Sequence, residues 1–257
     1  ERSVGLGVMG LHSYFQQKNI PFGSVMSKVW NKKIFKNIQE KVDLASVSLA
    51  EERGACPDAA EYGMKERFSN KTAIAPTASI SIICGGSSPG IEPIAANSYT
   101  HKTLSGSFNV RNKYLKKILQ KHKKDTDDVW STITTNQGSV AHLDFLTPEE
   151  KDTFKTAFEI DQRWIVELGA DRTPHISQAQ SINIFIPADI HKKDLHDLHF
   201  QAWKKGLKSL YYCRSKSIQR AENVNKGTST DVTKNVYSQG QESNNKSNNY
   251  EECLSCQ

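Results

Sequence analysis

The chain has 257 residues, of which 37% are hydrophobic and 24% charged, with a formal net charge of +6. This length can bury the core of one large domain or two small ones, and the composition is that of an ordinary soluble protein. No stretch approaches the roughly 18 apolar residues that a membrane span needs, and the first residues, which begin with Glu1 rather than Met, indicate a cut or processed end and not a signal peptide.

Two helices are predicted near the start of the chain. Residues 4–16 are apolar at nearly every turn, which predicts a buried helix in spite of three glycines. Small residues on such a helix let a neighbouring segment approach closely. Residues 28–53 have mixed polarity and predict a second, longer helix.

A hydroxyl-rich turn follows at Ala75–Ser81, and a glycine-rich segment comes after it at Cys84–Pro93. Hydroxyls and free backbone N–H groups at the start of a helix can bind a phosphate. The pattern is not a Walker motif, which needs GxxxxGK[ST]. The alternative interpretation is a capped surface turn that binds nothing.

A dense group of lysines lies between residues 113 and 124. Tyr114, Leu115, Ile118 and Leu119 supply an apolar stripe at helical spacing, which favours the solvated face of an amphipathic helix. A nucleic-acid site is the less favoured alternative, because nothing besides the positive charge supports it.

The next predicted helix begins at Thr147. A hydroxyl cap, a proline at the first helical position and Glu150 three residues after the cap are the signals for a helix start. We expect one helix or a pair of helices to run to about Leu168, with Gly169 as its end.

A strand, a helix and a second strand are predicted in succession after that. Ser181–Ile186 alternates like a strand, a helix capped by Asp189 runs to a stop at Gly206, and Leu207–Tyr212 is the second strand. This βαβ unit implies a parallel sheet and an α/β fold. Tyr211 and Tyr212 are neighbours at its end. Aromatic pairs on strands usually pack in a core, and both phenols can face one way only if the backbone bends or the strand stops there.

The composition changes near residue 223. Residues 223–257 are rich in Asn, Ser, Lys and Gln and poor in large apolar groups, so we expect a disordered tail after a folded part at 1–222. The tail ends in Cys253-x-x-Cys256, within a chain of five cysteines that lacks a secretory signal. This usage indicates a reducing compartment, the cytoplasm.

Two thiols at this spacing can form a small disulfide and exchange it with another dithiol. A zinc site is an alternative, but it needs about four ligands and residues 223–257 contain no further Cys or His. Terminal cysteines without a role remain the other alternative. A flexible linker of roughly 33 residues reaches about 30 Å, which would let the dithiol move between a buried site and the surface.

Several motifs occur together in one order: APTASIS at 75–81, GIEP at 90–93, SQAQSIN at 177–183, AWKKGLKSLYY at 202–212, and the terminal Cys-x-x-Cys. In this combination the chain resembles the large subunit of class I ribonucleotide reductases over nearly its whole length. The resemblance implies the C-terminal half of a ten-stranded α/β barrel, followed by the tail.

The resemblance also implies roles for individual residues. Tyr211 and Tyr212 would be the last relays of a radical path, and Cys253 and Cys256 would re-reduce an active-site disulfide after each turnover. Cys213, beside the tyrosines, is expected to be a small buried hydrophobe. The segment at 177–183 would support the barrel through Gln178, Gln180 and Asn183. The substrate diphosphate would be bound by Pro76, Thr77, Ala78, Ser79 and Ile80.

The implied partners are a small subunit with a diiron-tyrosyl centre, thioredoxin or glutaredoxin, and a ribonucleoside diphosphate; no metal or cofactor is expected on this chain. The family's radical cysteine lies in Asn-x-Cys-x-Glu, a motif absent here, since Cys56, Cys84 and Cys213 have other neighbours. We therefore expect this cysteine on a separate N-terminal chain, or on the missing part of a longer gene product. The alternative is a truncated, non-catalytic remnant that only binds partner subunits.

Overall fold

The computed structural model describes residues 1–103 and 106–215, with side chains at 102 and 103 left aside. The predicted tail at 223–257 lies outside these residues. The helices are α1 Leu11–Gln17, α2 Val25–Arg53, α3 Pro57–Glu61, α4 Ala78–Ile83, α5 Lys113–Lys121, α6 Asp127–Thr135, α7 Pro148–Thr153, α8 Gln162–Arg172 and α9 Lys192–Lys204, with a 3-10 turn at Thr173–His175. The strands are β1 Ser98–Thr103, β2 Gly106–Arg111, β3 Ile184–Ile186 and β4 Cys213–Ser215.

The first predicted helix is wrong in its N-terminal half. Helix α1 begins only at Leu11, after Gly10 in a left-handed conformation (φ 82°). The preceding residues are extended, and Leu6 forms a parallel bridge with Thr72. The glycines allow a close approach, as predicted, but to an extended neighbour: a Cβ at Gly7 would lie 2.4 Å from the carbonyl oxygen of Ala73.

Helix α2 confirms the predicted long helix, and a capping box at Ser24 starts it. The capping box predicted at Thr147 is also confirmed, because the Thr147 side chain and Glu150 cap each other's backbone N–H groups at the start of α7. That helix ends at Thr153, however, and Gly169 lies within α8 instead of ending it. Its missing side chain leaves room for Ile182, whose Cδ1 would be 2.9 Å from a Cβ there.

The βαβ unit is confirmed, with shifted boundaries. Strands β3 and β4 pair in parallel with Ile184 opposite Cys213, and α9 connects them. His191 rather than Asp189 caps α9, because its Nδ1 accepts from the backbone N–H of Lys193. Gly206 (φ 77°) follows the helix as predicted. The second strand begins at Cys213 and not at Leu207, so both tyrosines precede it.

Parallel extended segments lie side by side in chain order. The backbone N–H of Leu6 donates to Lys71, that of Ile74 donates to Ala179, and that of Ile184 donates to Tyr212. The first three segments are joined only by single parallel bridges, one between Leu6 and Thr72 and one between Ile74 and Gln180. Strands β1 and β2 form one antiparallel pair, strands β3 and β4 form a separate parallel pair, and no sheet closes within the described residues.

The buried apolar residues form separate clusters. One lies between α1, α2, α8 and the parallel segments and includes Phe15, Phe35 and Ile182. A second lies within residues 113–154, called the helical region below, and includes Trp130. A third packs β3 against α8 and α9. None of the described helices is long and apolar enough to cross a membrane.

Candidate functional site

Tyr211 and Tyr212 lie against each other where the chain enters β4. Their ring centroids are 4.2 Å apart, with the ring planes at 53°. The backbone N–H of Tyr211 donates to the carbonyl oxygen of Ile182 at 2.8 Å. Both residues are nearly half exposed in the described structure (47% and 45%). The strand therefore does not continue through both residues, and this allows the two phenols to share one side.

A buried asparagine joins the tyrosine segment to a buried glutamate. The Oδ1 of Asn183 accepts from the backbone N–H of Tyr212 at 3.2 Å. The Nδ2 of Asn183 donates to Oε2 of Glu92 at 2.7 Å. The support expected of Asn183 thus takes the form of two specific contacts, for which the sequence carries no signal. Glu92, in GIEP, was not predicted as a site residue.

The surroundings of Glu92 penalise its charged form. Burial raises the pKa of Glu92, and the Asn183 hydrogen bond and the positive charge of Arg214 offset this only partly. Arg214 lies two residues beyond Tyr212. A carboxylate, a guanidinium and the tyrosine pair are thus brought together from two distant parts of the chain.

The predicted phosphate-binding turn leads into α4, which has no side-chain cap. Thr77 precedes α4 in a left-handed conformation (φ 54°), and its side chain does not cap that helix. Its Oγ1 accepts from the backbone N–H of Gly90 at 2.7 Å. Ser79 and Ile80 are exposed, and no hydrogen bond between described residues uses their backbone N–H groups. Pro76 and Ala78 are half-buried beside them.

The glycine-rich segment holds the turn and the tyrosines together. Gly90 is in a left-handed conformation (φ 45°), and a Cβ there would lie 2.9 Å from the carbonyl oxygen of Ala75. Gly90 contacts Thr77, and Glu92, two residues further, contacts Asn183. We call Thr77, Gly90, Glu92, Asn183, Tyr211 and Tyr212 the tyrosine site.

The structural role expected of Gln180 is confirmed. Its side chain accepts from the buried guanidinium of Arg172 and donates to the carbonyl oxygen of Gly169 at 3.1 Å. Asn31 also accepts from Arg172, at 3.1 Å. Burial lowers the pKa of Arg172 to about 9, with the charge of Asp171 acting in the opposite direction. This network ties α2 and α8 to the extended segment that precedes β3.

The cysteines within the described residues are free: Cys56 is buried, whereas Cys84 and Cys213 are exposed. The expectation that Cys213 is a buried hydrophobe is therefore wrong, because it opens β4 beside the exposed tyrosines. Partial burial raises the pKa of the Cys213 thiol. Cys253 and Cys256 lie outside the described residues.

The lysine-rich segment at 113–124 forms helix α5, with Leu115 and Leu119 fully buried. This confirms the prediction of an amphipathic helix with a solvated face. Lys113 donates to the carbonyl oxygen of Gly85 at 3.0 Å, and Lys121 pairs with Glu150. Among the residues that the structure describes, no group of three or more His, Cys, Asp or Glu could hold a metal ion.

The parallel pairing of β3 with β4 through α9, together with the parallel bridges between the other extended segments, is typical of an α/β fold. The chain matches the family described as "Ribonucleotide reductase, barrel domain" over residues 1–66 and 58–213, and it belongs to that family.

Similar proteins support this membership. The ribonucleoside-diphosphate reductase large subunit of Invertebrate iridescent virus 6 is 48% identical over 228 residues, which cover 87% of this chain and 24% of the relative. The large subunit from Caenorhabditis elegans is 32% identical, over 86% of this chain and 32% of the relative. The Actinobacillus ureae class Id ribonucleotide reductase alpha subunit superposes with a TM-score of 0.78 at 41% identity, over 84% of this chain and 39% of the other. The chain thus spans between a quarter and two fifths of these proteins.

Proposed function

We propose that this chain supplies the C-terminal part of the catalytic barrel of a ribonucleoside-diphosphate reductase large subunit. In this proposal it contributes the tyrosine relay and part of the diphosphate site. The radical cysteine and the remaining barrel strands come from an N-terminal part, on a separate chain or on the same longer one. The assembled barrel, and not this chain by itself, reduces ribonucleotides to deoxyribonucleotides.

The observation that carries the proposal is the contact between Tyr211 and Tyr212. A neutral phenol can lose an electron and a proton together, so a radical on one tyrosine can take a hydrogen atom from its neighbour. The first phenol is restored and the second becomes the radical, with no change in total charge. The 4.2 Å between ring centroids suits this exchange. Phenylalanine has no such proton to give.

The turn at 76–80 suits the diphosphate. The exposed Ser79 hydroxyl and the backbone N–H groups at the start of α4 are hydrogen-bond donors, which anionic phosphate oxygens need. The bond from Gly90 to Thr77 fixes the turn, so that these donors keep their directions. We propose that Pro76, Thr77, Ala78, Ser79 and Ile80 form this part of the site.

The proposal includes partners that supply the radical and the electrons. A small subunit with a diiron-tyrosyl centre would deliver the radical to the tyrosine pair. Cys253 and Cys256 would pass electrons to a disulfide on the N-terminal part and would then be reduced by thioredoxin or glutaredoxin. Such dithiol exchange needs a reducing compartment such as the cytoplasm.

Replacing either tyrosine tests the relay. In the assembled enzyme with a ribonucleoside diphosphate, Tyr211→Phe and Tyr212→Phe should each abolish turnover, because the radical path is cut. Tyr114→Phe, a change of the same size in the helical region, should keep the rate within about twofold of wild type. Full turnover by both relay variants would refute the proposal. If the unmodified assembled protein also fails to turn over, the non-catalytic alternative is favoured.

The tail can be tested separately. Replacing Cys253 and Cys256 with Ser should abolish multiple turnover driven by thioredoxin, because electrons no longer reach the buried disulfide. A single turnover by the pre-reduced assembled enzyme should survive, since it needs no re-reduction. Loss of the single turnover as well would show that these cysteines act elsewhere.

A further inference from the structure

The pairing between β3 and β4 is distorted at the tyrosines. Ile184 lies opposite Cys213, and its backbone N–H donates to the carbonyl oxygen of Tyr212 at 2.9 Å. In a regular parallel ladder of this register, the N–H of Tyr212 would donate to Ile182. Instead the N–H of Tyr211 occupies that carbonyl oxygen. The pairing has therefore slipped by one residue, as in a β-bulge.

The slip frees the backbone N–H of Tyr212 from the ladder, and the side chain of Asn183 accepts it. In the regular ladder this N–H would have Ile182 as its acceptor, so the bond to Asn183 replaces the lost ladder bond and offsets its cost in the distorted backbone. The distortion also affects the side chains. Successive residues of a regular strand point to opposite faces, whereas Tyr211 and Tyr212 have their rings in contact.

Glu92 in turn fixes Asn183. A side-chain amide can rotate, and an amide that presents its NH₂ group to Tyr212 could not accept its N–H. Because Nδ2 of Asn183 donates to Glu92, Oδ1 is left facing Tyr212. Asn183 and Glu92 are both buried, and burial raises the pKa of Glu92. Burying this carboxylate therefore costs solvation free energy.

From these contacts we infer that Glu92 and Asn183 are positioning residues of the radical relay: they hold the backbone slip that brings the phenols of Tyr211 and Tyr212 together. This deepens the proposed function and rests on it. Neither residue takes part in the hydrogen-atom exchange itself. Both act on its rate by setting the distance and angle between the rings.

The first test compares two asparagines in the assembled enzyme. Asn183→Leu removes both hydrogen bonds, and we expect kcat to fall on the order of a hundredfold, with KM for the ribonucleoside diphosphate within about twofold, because the turn at 76–80 is untouched. Asn31→Leu is the matched control, since Asn31 is equally buried and hydrogen-bonded but contacts Arg172 and Leu168. The Asn31→Leu variant should keep kcat within about threefold of wild type, even if it lowers the melting temperature as much as Asn183→Leu does. Equal kcat values for the two variants would overturn the inference.

The second test reverses the direction of one hydrogen bond. Asn183→Asp still accepts from Tyr212 but places two carboxylates in contact, so kcat should fall as for Asn183→Leu. Adding Glu92→Gln restores a donor and an acceptor with the original total charge, and kcat should recover at least about tenfold. The comparison of the single variant Asn183→Asp with the double variant tests the positioning role even if Asn183→Leu fails to fold. No recovery in the double variant would contradict the inference, whereas full turnover by Tyr212→Phe would instead refute the relay itself.

Discussion

Two glutamates with little exposure show how differently the helical region and the tyrosine site use their polar residues. In the helical region, burial alone would raise the pKa of Glu150, but the backbone N–H of Thr147 and the neighbouring His122 and Lys121 together lower it below its ordinary value. This carboxylate also completes the capping box of α7. Its charged form therefore contributes to the stability of the fold.

Glu92 in the tyrosine site has the opposite balance. Burial raises its pKa, and Asn183 and Arg214 compensate only in part. A carboxylate whose charged form is penalised lowers stability once it ionises. Glu92 contacts Asn183, and Asn183 accepts the backbone N–H of Tyr212. We therefore interpret the role of Glu92 as fixing the position of the Tyr212 backbone. The ionised carboxylate of Glu150 thus stabilises the helical region, whereas that of Glu92 destabilises the fold while it holds the tyrosine site in place.

The largest expected loss of unfolding free energy comes from replacing Trp130 in the helical region. It is fully buried, and its Nε1 donates to Asp125 at 2.8 Å. Trp130→Ala should lower the free energy of unfolding by about 3–5 kcal/mol, measured by chemical denaturation. Since Trp130 belongs to a separate apolar cluster, the folded fraction should keep its turnover rate in the assembled enzyme. A slower rate per folded molecule would show that the two regions are not independent.

The next largest loss of unfolding free energy is expected from replacing Gly90 in the tyrosine site. Gly86→Ala is a matched control, because both glycines are left-handed but a Cβ at Gly86 would meet nothing within 4 Å. The control should cost roughly 1–2 kcal/mol of unfolding free energy. Gly90→Ala should cost about 1–3 kcal/mol more, because its Cβ meets the carbonyl oxygen of Ala75. Equal losses in denaturation curves would show that the loop adjusts freely.

A smaller effect is expected at the cap of α7. Thr147→Ala removes the side-chain oxygen that accepts from the backbone N–H of Glu150, and it should cost about 1 kcal/mol. Thr147→Ser keeps this oxygen and should stay close to wild type. Turnover by the assembled enzyme should be unchanged in both. A loss of activity in either variant would connect this cap to the site.

The smallest effect is a pH dependence of opposite sign for the two glutamates. The folded pKa of Glu92 is raised, so the wild type loses stability as pH rises from the ordinary value of 4.5 through the raised pKa. The stability of Glu92→Gln relative to wild type should therefore increase over this window. Glu150, with its lowered pKa, stabilises above 4.5, and this contribution is lost as pH falls through the lowered value. Glu150→Gln should thus lose stability relative to wild type as pH rises. Melting temperatures between pH 3 and 8 that shift in the same direction for both would contradict the comparison.

Local signals predicted the helical region better than the tyrosine site. The start of α7 and the amphipathic α5 follow from capping and periodicity signals that lie within a few positions of each other. The N-terminal half of the helix predicted at 4–16 is wrong because Gly5 and Gly7 serve a close approach to Ala73, a contact over long sequence separation.

The turn and the tyrosines of the site followed from motifs, but their connection did not. Glu92 and Asn183 are 91 residues apart, and no spacing rule relates them. The slip at Tyr212 depends on a side chain that replaces a ladder bond, and such a replacement has no periodicity. The sequence showed only that two neighbouring phenols on one side would require a bend, and the structure supplies the residue that stabilises it.

The most direct measurement is reduction of a ribonucleoside diphosphate by separately prepared parts. This chain, an N-terminal part that contains Asn-x-Cys-x-Glu, and a radical-generating small subunit would be combined, and each would be omitted in turn. The account predicts turnover only when all three are present, and its loss when the chain carries Tyr212→Phe. Turnover by this chain and the small subunit without the N-terminal part would contradict it, as would undiminished turnover with Tyr212→Phe.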